Sequence, residues 1–216
     1  MNLTEFGWAL SGRLAFPILR VISGRANQLT AAQVTRALND EARSDKEKAS
    51  EEGVRRALDR LARHGLVVST LVGGRIVYSF NRGHLFHPEL EKMIHFDRYL
   101  ITKVRKEITS WGLTPVTAVL FGSAARRSGG EASDIDLLLV HPPRATEAQK
   151  KRWAEDRHSL REKVHAWTGN SLADIDWSEA TLRKRVAQGE PLVRSILAEG
   201  RLVVGMPLSV VVGAKR

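Results

Sequence analysis

Two short groups of residues in one stretch could do chemistry together: Gly122-Ser123, then ten residues, then Asp134-Ile135-Asp136. Aspartates two apart on a strand send both carboxylates to one face. Two such carboxylates repel each other unless a cation lies between them. Hard oxygen donors of this kind suit Mg²⁺, with Mn²⁺ as an alternative, and Mg²⁺ commonly shares its remaining positions with water and substrate phosphates. Gly122 stands where the apolar run Val116–Phe121 ends and the backbone must turn, which glycine permits. Ser123 adds a hydroxyl and a main-chain N–H at an expected helix start, the kind of terminus that attracts phosphate. A phosphate cradle beside a divalent metal pair is equipment for phosphoryl or nucleotidyl transfer.

With the continuation "SDIDLLLV", the spacing Gly122-Ser123, ten residues, Asp134-Ile135-Asp136 resembles the polymerase-β-like nucleotidyltransferase superfamily, in particular its minimal members. The resemblance spans roughly residues 112–206. It implies transfer of a nucleoside monophosphate from an NTP, with ATP the expected donor, to an acceptor hydroxyl with release of pyrophosphate. In that reading Asp134 and Asp136 hold the metal, and Gly122, Ser123 and Arg126 meet the triphosphate. Arg127 departs from the glycine frequent at its position. The family also takes a third carboxylate from a neighbouring strand, often as general base. The segment "SLADIDW" offers Asp174 and Asp176, which alternation puts on one face, away from Ala173, Ile175 and Trp177. Asp174 is deeper in the strand and Asp176 nearer the Ser178 cap, and the choice stays open. The acceptors implied are a protein hydroxyl (as in antitoxin-type adenylylation), an RNA end, or a small molecule such as an aminoglycoside.

The elements that must position these residues are readable along the second half. "VTAVLF" and "DIDLLLV" read as strands, and Pro142-Pro143 stops the second. Thr146 with Gln149 forms a capping box for a long helix with Trp153, Leu160, Val164 and Trp167 on its apolar face and Gly169 as its stop. "SLADIDW" is a third strand, Ser178 caps a helix through Leu197, and "RLVVG" is a last strand. The expectation is an α+β chain whose mixed sheet is flanked by helices.

The first half reads as three helices and a hairpin. Pro17 suits the first turn of a helix that Gly24 can end. Thr30 caps a second, with Val34 and Leu38 inward. The charged stretch Asn39–Ala49 reads as a solvated loop. Ser50 caps "EEGVRRALDRLARHG", with Val54, Leu58 and Leu61 inward and Gly65 as the stop. "LVVSTLV", Gly73-Gly74 and "RIVYSF" form a hairpin. This order resembles a winged helix-turn-helix domain. Arg56, Arg60 and Arg63 form a stripe on the third helix, and Arg75 sits on the hairpin, so nucleic-acid binding by these four follows as an expectation. The inserted stretch Asn39–Ala49 departs from the tight turn that fold has between its helices. Pro88 opens a long helix ending near Gly112. The expected domains are 1–87 (winged helix-turn-helix), 88–111 (linking helix) and 112–216 (nucleotidyltransferase).

Composition sets the outer bounds. The net charge of +10 points to a polyanionic partner, nucleotide or nucleic acid, and the basic residues are spread over both halves. The absence of cysteine excludes disulfides and thiolate metal sites. Met1–Leu10 carries Glu5 and lacks a basic leader region, and Arg13, Pro17 and Arg20 interrupt the most apolar early segment. A cytoplasmic enzyme acting on a macromolecular acceptor, with duplex DNA as a further partner and no membrane, is the expectation. The competing reading is a DNA-binding regulator, or an antitoxin-like module, whose transferase fold senses nucleotide.

Overall fold

The computed structural model describes residues 6–24, 28–42, 44–126 and 133–213. The chain divides into two compact units, Met1–Phe96 and Asp97–Arg216.

In the first unit the elements are α1 (Phe6–Ala9), α2 (Ala15–Ser23), α3 (Ala31–Asp40), α4 (Glu51–Arg63), β1 (Val67–Val72), β2 (Arg75–Phe80) and α5 (His87–Ile94). Both expected helix starts are made by side-chain caps: Thr30 in a full capping box with Gln33, and Ser50 accepting from the Gly53 N–H. β1 and β2 pair antiparallel from Val67↔Phe80 to Val72↔Arg75, leaving Gly73-Gly74 as a two-residue turn with both φ positive. Leu29 bridges to Tyr78 on the free side of β2. Ile18, Leu19, Val34, Leu58, Leu61 and Tyr78 lie in one core. Of the described residues between α3 and α4, Ala49 is buried, Ala42 is half-buried and the others are exposed, yet the stretch is tied at both ends. The Asn39 side chain donates to the Ala49 carbonyl at 3.1 Å and accepts from its N–H at 2.8 Å. Arg13 donates to the Lys46 and Lys48 carbonyls at 2.9 and 3.1 Å.

The helix expected from Pro88 is two helices, α5 and α6 (Phe96–Thr109), broken at His95, whose ψ of 36° is not helical. The two bury separate apolar stripes. Leu90 and Ile94 belong to the first core, whereas Leu100, Ile101, Val104 and Ile108 belong to a core of the second unit.

The second unit continues with β3 (Thr117–Phe121), α7 (Gly122–Arg126), β4 (Ile135–His141), α8 (Glu147–Thr168), β5 (Leu172–Ser178), α9 (Glu179–Ala187), α10 (Pro191–Glu199), β6 (Arg201–Gly205) and α11 (Leu208–Val211). The sheet order is β5-β4-β3-β6; β4 and β5 are parallel, and the β3–β4 and β3–β6 pairs are antiparallel. It is therefore a mixed sheet, with helices on both faces. One face packs Leu120, Leu137 and Leu139 against α6 and α8, and the other packs Val119, Phe121, Leu138 and Val140 against α9, α10 and α11. The single helix expected from Ser178 to Leu197 is interrupted between α9 and α10, where Gly189 has φ of 65° and Pro191 starts a new helix. Trp167, expected on the apolar face of α8, is exposed, while Trp153 and Trp177 are buried.

Candidate nucleotide site

β3 delivers the chain to Gly122 at its carboxyl end, and β4 begins beside it: Phe121 pairs with Asp136. Gly122 has φ of 67°, and a Cβ built on it would lie 2.1 Å from Asp136 Oδ2. Any side chain would occupy the space that the carboxylate uses, so glycine is required both by conformation and by closeness. Ser123 follows, and its hydroxyl donates to the Asp134 carbonyl at 3.4 Å. Asp134 is exposed at the mouth of β4, two residues before Asp136. Gly122, Ser123, Asp134 and Asp136 thus come together at one end of the sheet. Arg126 ends the five-residue α7; its side chain, like the whole of Arg127, lies outside the described residues.

The residues present fit a divalent cation of the Mg²⁺ type. Two hard carboxylates stand at one strand mouth, and the bare Gly122 backbone leaves room for Asp136 that a Cβ would fill. Among the described residues no cluster of three or more His, Asp or Glu forms a metal cage, so other positions around such an ion would fall to substrate and water.

Asp174 and Asp176 are not brought to this site. β5 does lie beside β4, but its register pairs Asp174 with Leu137 and Asp176 with Leu139. Residues directly across a ladder share a face, so both aspartates lie on the face of Leu137 and Leu139, opposite Asp136. The β5 residues on Asp136's face are Ala173, Ile175 and Trp177. On the α8 side, Asp174 is bound by Arg157 (Nε to Oδ2, 2.6 Å) and by Arg161, and its side chain is 2 % exposed. Asp176 accepts from Arg157 at 2.8 Å and from the Trp153 indole N–H at 3.1 Å, and lies 2.9 Å from His141 Nδ1. The signal for these partners was in the sequence: Trp153, Arg157 and Arg161 recur every four residues on α8, one helical face.

In the first unit Arg56, Arg63 and Arg75 are exposed. Arg56 lies 3.7 Å from Glu52, a carboxylate held below its ordinary range chiefly by hydrogen bonds from Arg55. Arg60 turns inward and donates to the Ser11 carbonyl at 2.5 Å. The stripe expected along α4 therefore loses its middle member to internal packing. On the hairpin, Val68, Leu71, Val72 and Ile76 are exposed around Arg75.

Residues 101–188, from α6 to just past α9 and enclosing Gly122, Ser123, Asp134 and Asp136, match the family model described as Nucleotidyltransferase domain. No curated protein matches the chain. Among solved structures it is similar to a toxin–antitoxin crystallised with AMP-PNP, at 14% identity and a TM-score of 0.36, covering 52% of this chain and 81% of that one. It is also similar to a mutant of the toxin–antitoxin MntA–HpeT, at 12% identity and a TM-score of 0.33, covering 54% and 80%.

Proposed function

We propose that the chain moves a nucleoside monophosphate from an NTP, ATP first among them, to a hydroxyl of a protein or RNA acceptor, in keeping with the match of residues 101–188 to the nucleotidyltransferase domain model. The observation that carries this is the seating of Asp136 against the bare backbone of Gly122, with Ser123 and Asp134 beside them. Asp134 and Asp136 would hold Mg²⁺, which when bound neutralises phosphate charge and polarises the α-phosphorus. Gly122 and Ser123 would position the triphosphate, with Arg126 as a further phosphate contact. The basic balance of the chain favours a macromolecular acceptor. Incubation of the purified chain with α-³²P-labelled NTPs and cell extract tests the reading. Label passing to protein or RNA supports it, and absence of any labelled macromolecule counts against it.

The first unit supports a second part of the proposal. The helices α2, α3 and α4 followed by the β1–β2 hairpin suit a winged helix-turn-helix, and Arg56, Arg63 and Arg75 would meet the phosphates of duplex nucleic acid. A filter-binding titration across salt concentrations tests it.

One observation favours an alternative in which the fold senses nucleotide for a DNA-binding regulator. Asp174 and Asp176 face away from Asp136, and β5 presents Ala173 and Ile175 on the face where a general base would be useful. NTP binding without label transfer would select this reading.

A further inference from the structure

At the end of β4 remote from Asp136 lies a cavity of about 830 Å³. His141, which lines it, is five residues beyond Asp136, roughly 17 Å along the strand at about 3.3 Å per residue, and on the opposite face. The cavity is distinct from the Gly122–Asp136 site. Its size falls within the range of small-molecule sites.

The charged residues of the lining are Arg144, Lys150, Arg157 and Asp176. Asp176 is already engaged by Arg157, Trp153 and His141, which occupies the oxygens that could otherwise bind a cation. That same carboxylate takes up His141 Nδ1, leaving Nε2 as the ring's other polar atom. Arg144 makes no hydrogen bond or ion pair with any described residue, and Lys150 is held only by an exposed pair with Glu147 at 2.7 Å. Exposed pairs of this kind contribute little and exchange readily. The cationic excess is thus available to a ligand. Pro142, Pro143 and Ala154 supply an apolar wall.

We propose that this cavity binds a small organic anion, a carboxylate or phosphate ester joined to a flat apolar body. The anionic group meets Arg144 and Lys150, the body lies against Pro142 and Pro143, and His141 Nε2 contacts a polar atom of the ligand.

The test is calorimetry on the full chain with benzoate and with phenyl phosphate, each alone and with saturating Mg²⁺ and a non-hydrolysable ATP analogue. Saturable binding of either probe that survives the analogue is expected, and the tighter probe identifies the anionic group. The double substitution Arg144→Glu with Lys150→Glu weakens it roughly tenfold or more, and Ala154→Trp, which fills the cavity, removes it. Thermal melts check that these exposed substitutions leave the fold intact. Asp134→Asn with Asp136→Asn leaves the affinity unchanged. No saturable binding, binding displaced by the analogue, or binding indifferent to both cavity variants would overturn the proposal.

Discussion

Asp136 and Asp174 sit on adjacent parallel strands but on opposite faces of the sheet, because Asp174 pairs with Leu137 and Asp136 with Ala173. One carboxylate lies at the proposed nucleotide site, against Gly122. The other is buried under Arg157 and Arg161. This difference separates what each aspartate contributes.

Asp174→Asn is expected to act on stability. Removing that carboxylate takes away the ion-pair partner of Arg161 and leaves Arg157 with Asp176 alone, at a cost of roughly 1–3 kcal/mol. Asp176→Asn costs less, since its side chain is 21 % exposed. Chemical denaturation measures both. Turnover lost by either variant with stability unchanged would contradict this assignment.

Replacing Asp134 and Asp136 by Asn is expected to have the opposite profile. Neutral amides relieve the repulsion between the carboxylates, so the melting temperature is held or raised while Mg²⁺-dependent NTP affinity disappears. Calorimetry with and without Mg²⁺ reads the loss.

Gly122→Ala tests the seat of Asp136. The positive φ alone costs about 1–2 kcal/mol in a residue with a Cβ, and the methyl group also collides with the Asp136 carboxylate. Gly169→Ala is the control: φ there is 75°, but nothing lies within 4 Å of the added carbon. Both variants should be destabilised, and only Gly122→Ala should lose nucleotide binding.

Tyr78 makes the first unit sensitive to alkaline pH. Burial first, and then its hydrogen bond to Asp59, raises the phenol from an ordinary 10.0 to about 12. A raised folded-state value favours the protonated form. The stability it contributes is complete below pH 10 and lost as pH rises towards 12. Tyr78→Phe should flatten that decline relative to the wild-type chain in denaturation curves taken across this window.

If the first unit binds duplex nucleic acid as proposed, Arg56→Ala, Arg63→Ala and Arg75→Ala should weaken that binding and reduce its salt dependence, because each would remove a phosphate contact and its released counterion. Arg60→Ala should instead lower the melting temperature, since it removes the hydrogen bond from Arg60 to the Ser11 carbonyl. Filter binding and thermal melts together distinguish the two effects.

Much of this arrangement is written locally. Thr30, Ser50, Thr146 and Ser178 each cap the helix that follows, because a side-chain oxygen three residues ahead of an amide satisfies it whatever the rest of the chain does. Gly73-Gly74 makes its hairpin turn for the same local reason, and Gly122 with Asp134 and Asp136 is visible as a spacing. The break at His95 was not legible, because two apolar stripes in succession look like one helix until they are assigned to different cores. Nor was the internal use of Arg60, which depends on a turn forty-nine residues earlier. Alternation along β5 put Asp174 and Asp176 together and apart from Ile175. It could not say which of the two sets shares a face with Asp136. That depends on the register against β4, and a slip of one residue would exchange the faces. The register is held by tertiary packing: Leu172 is buried under α8, while Trp177 is buried towards α9.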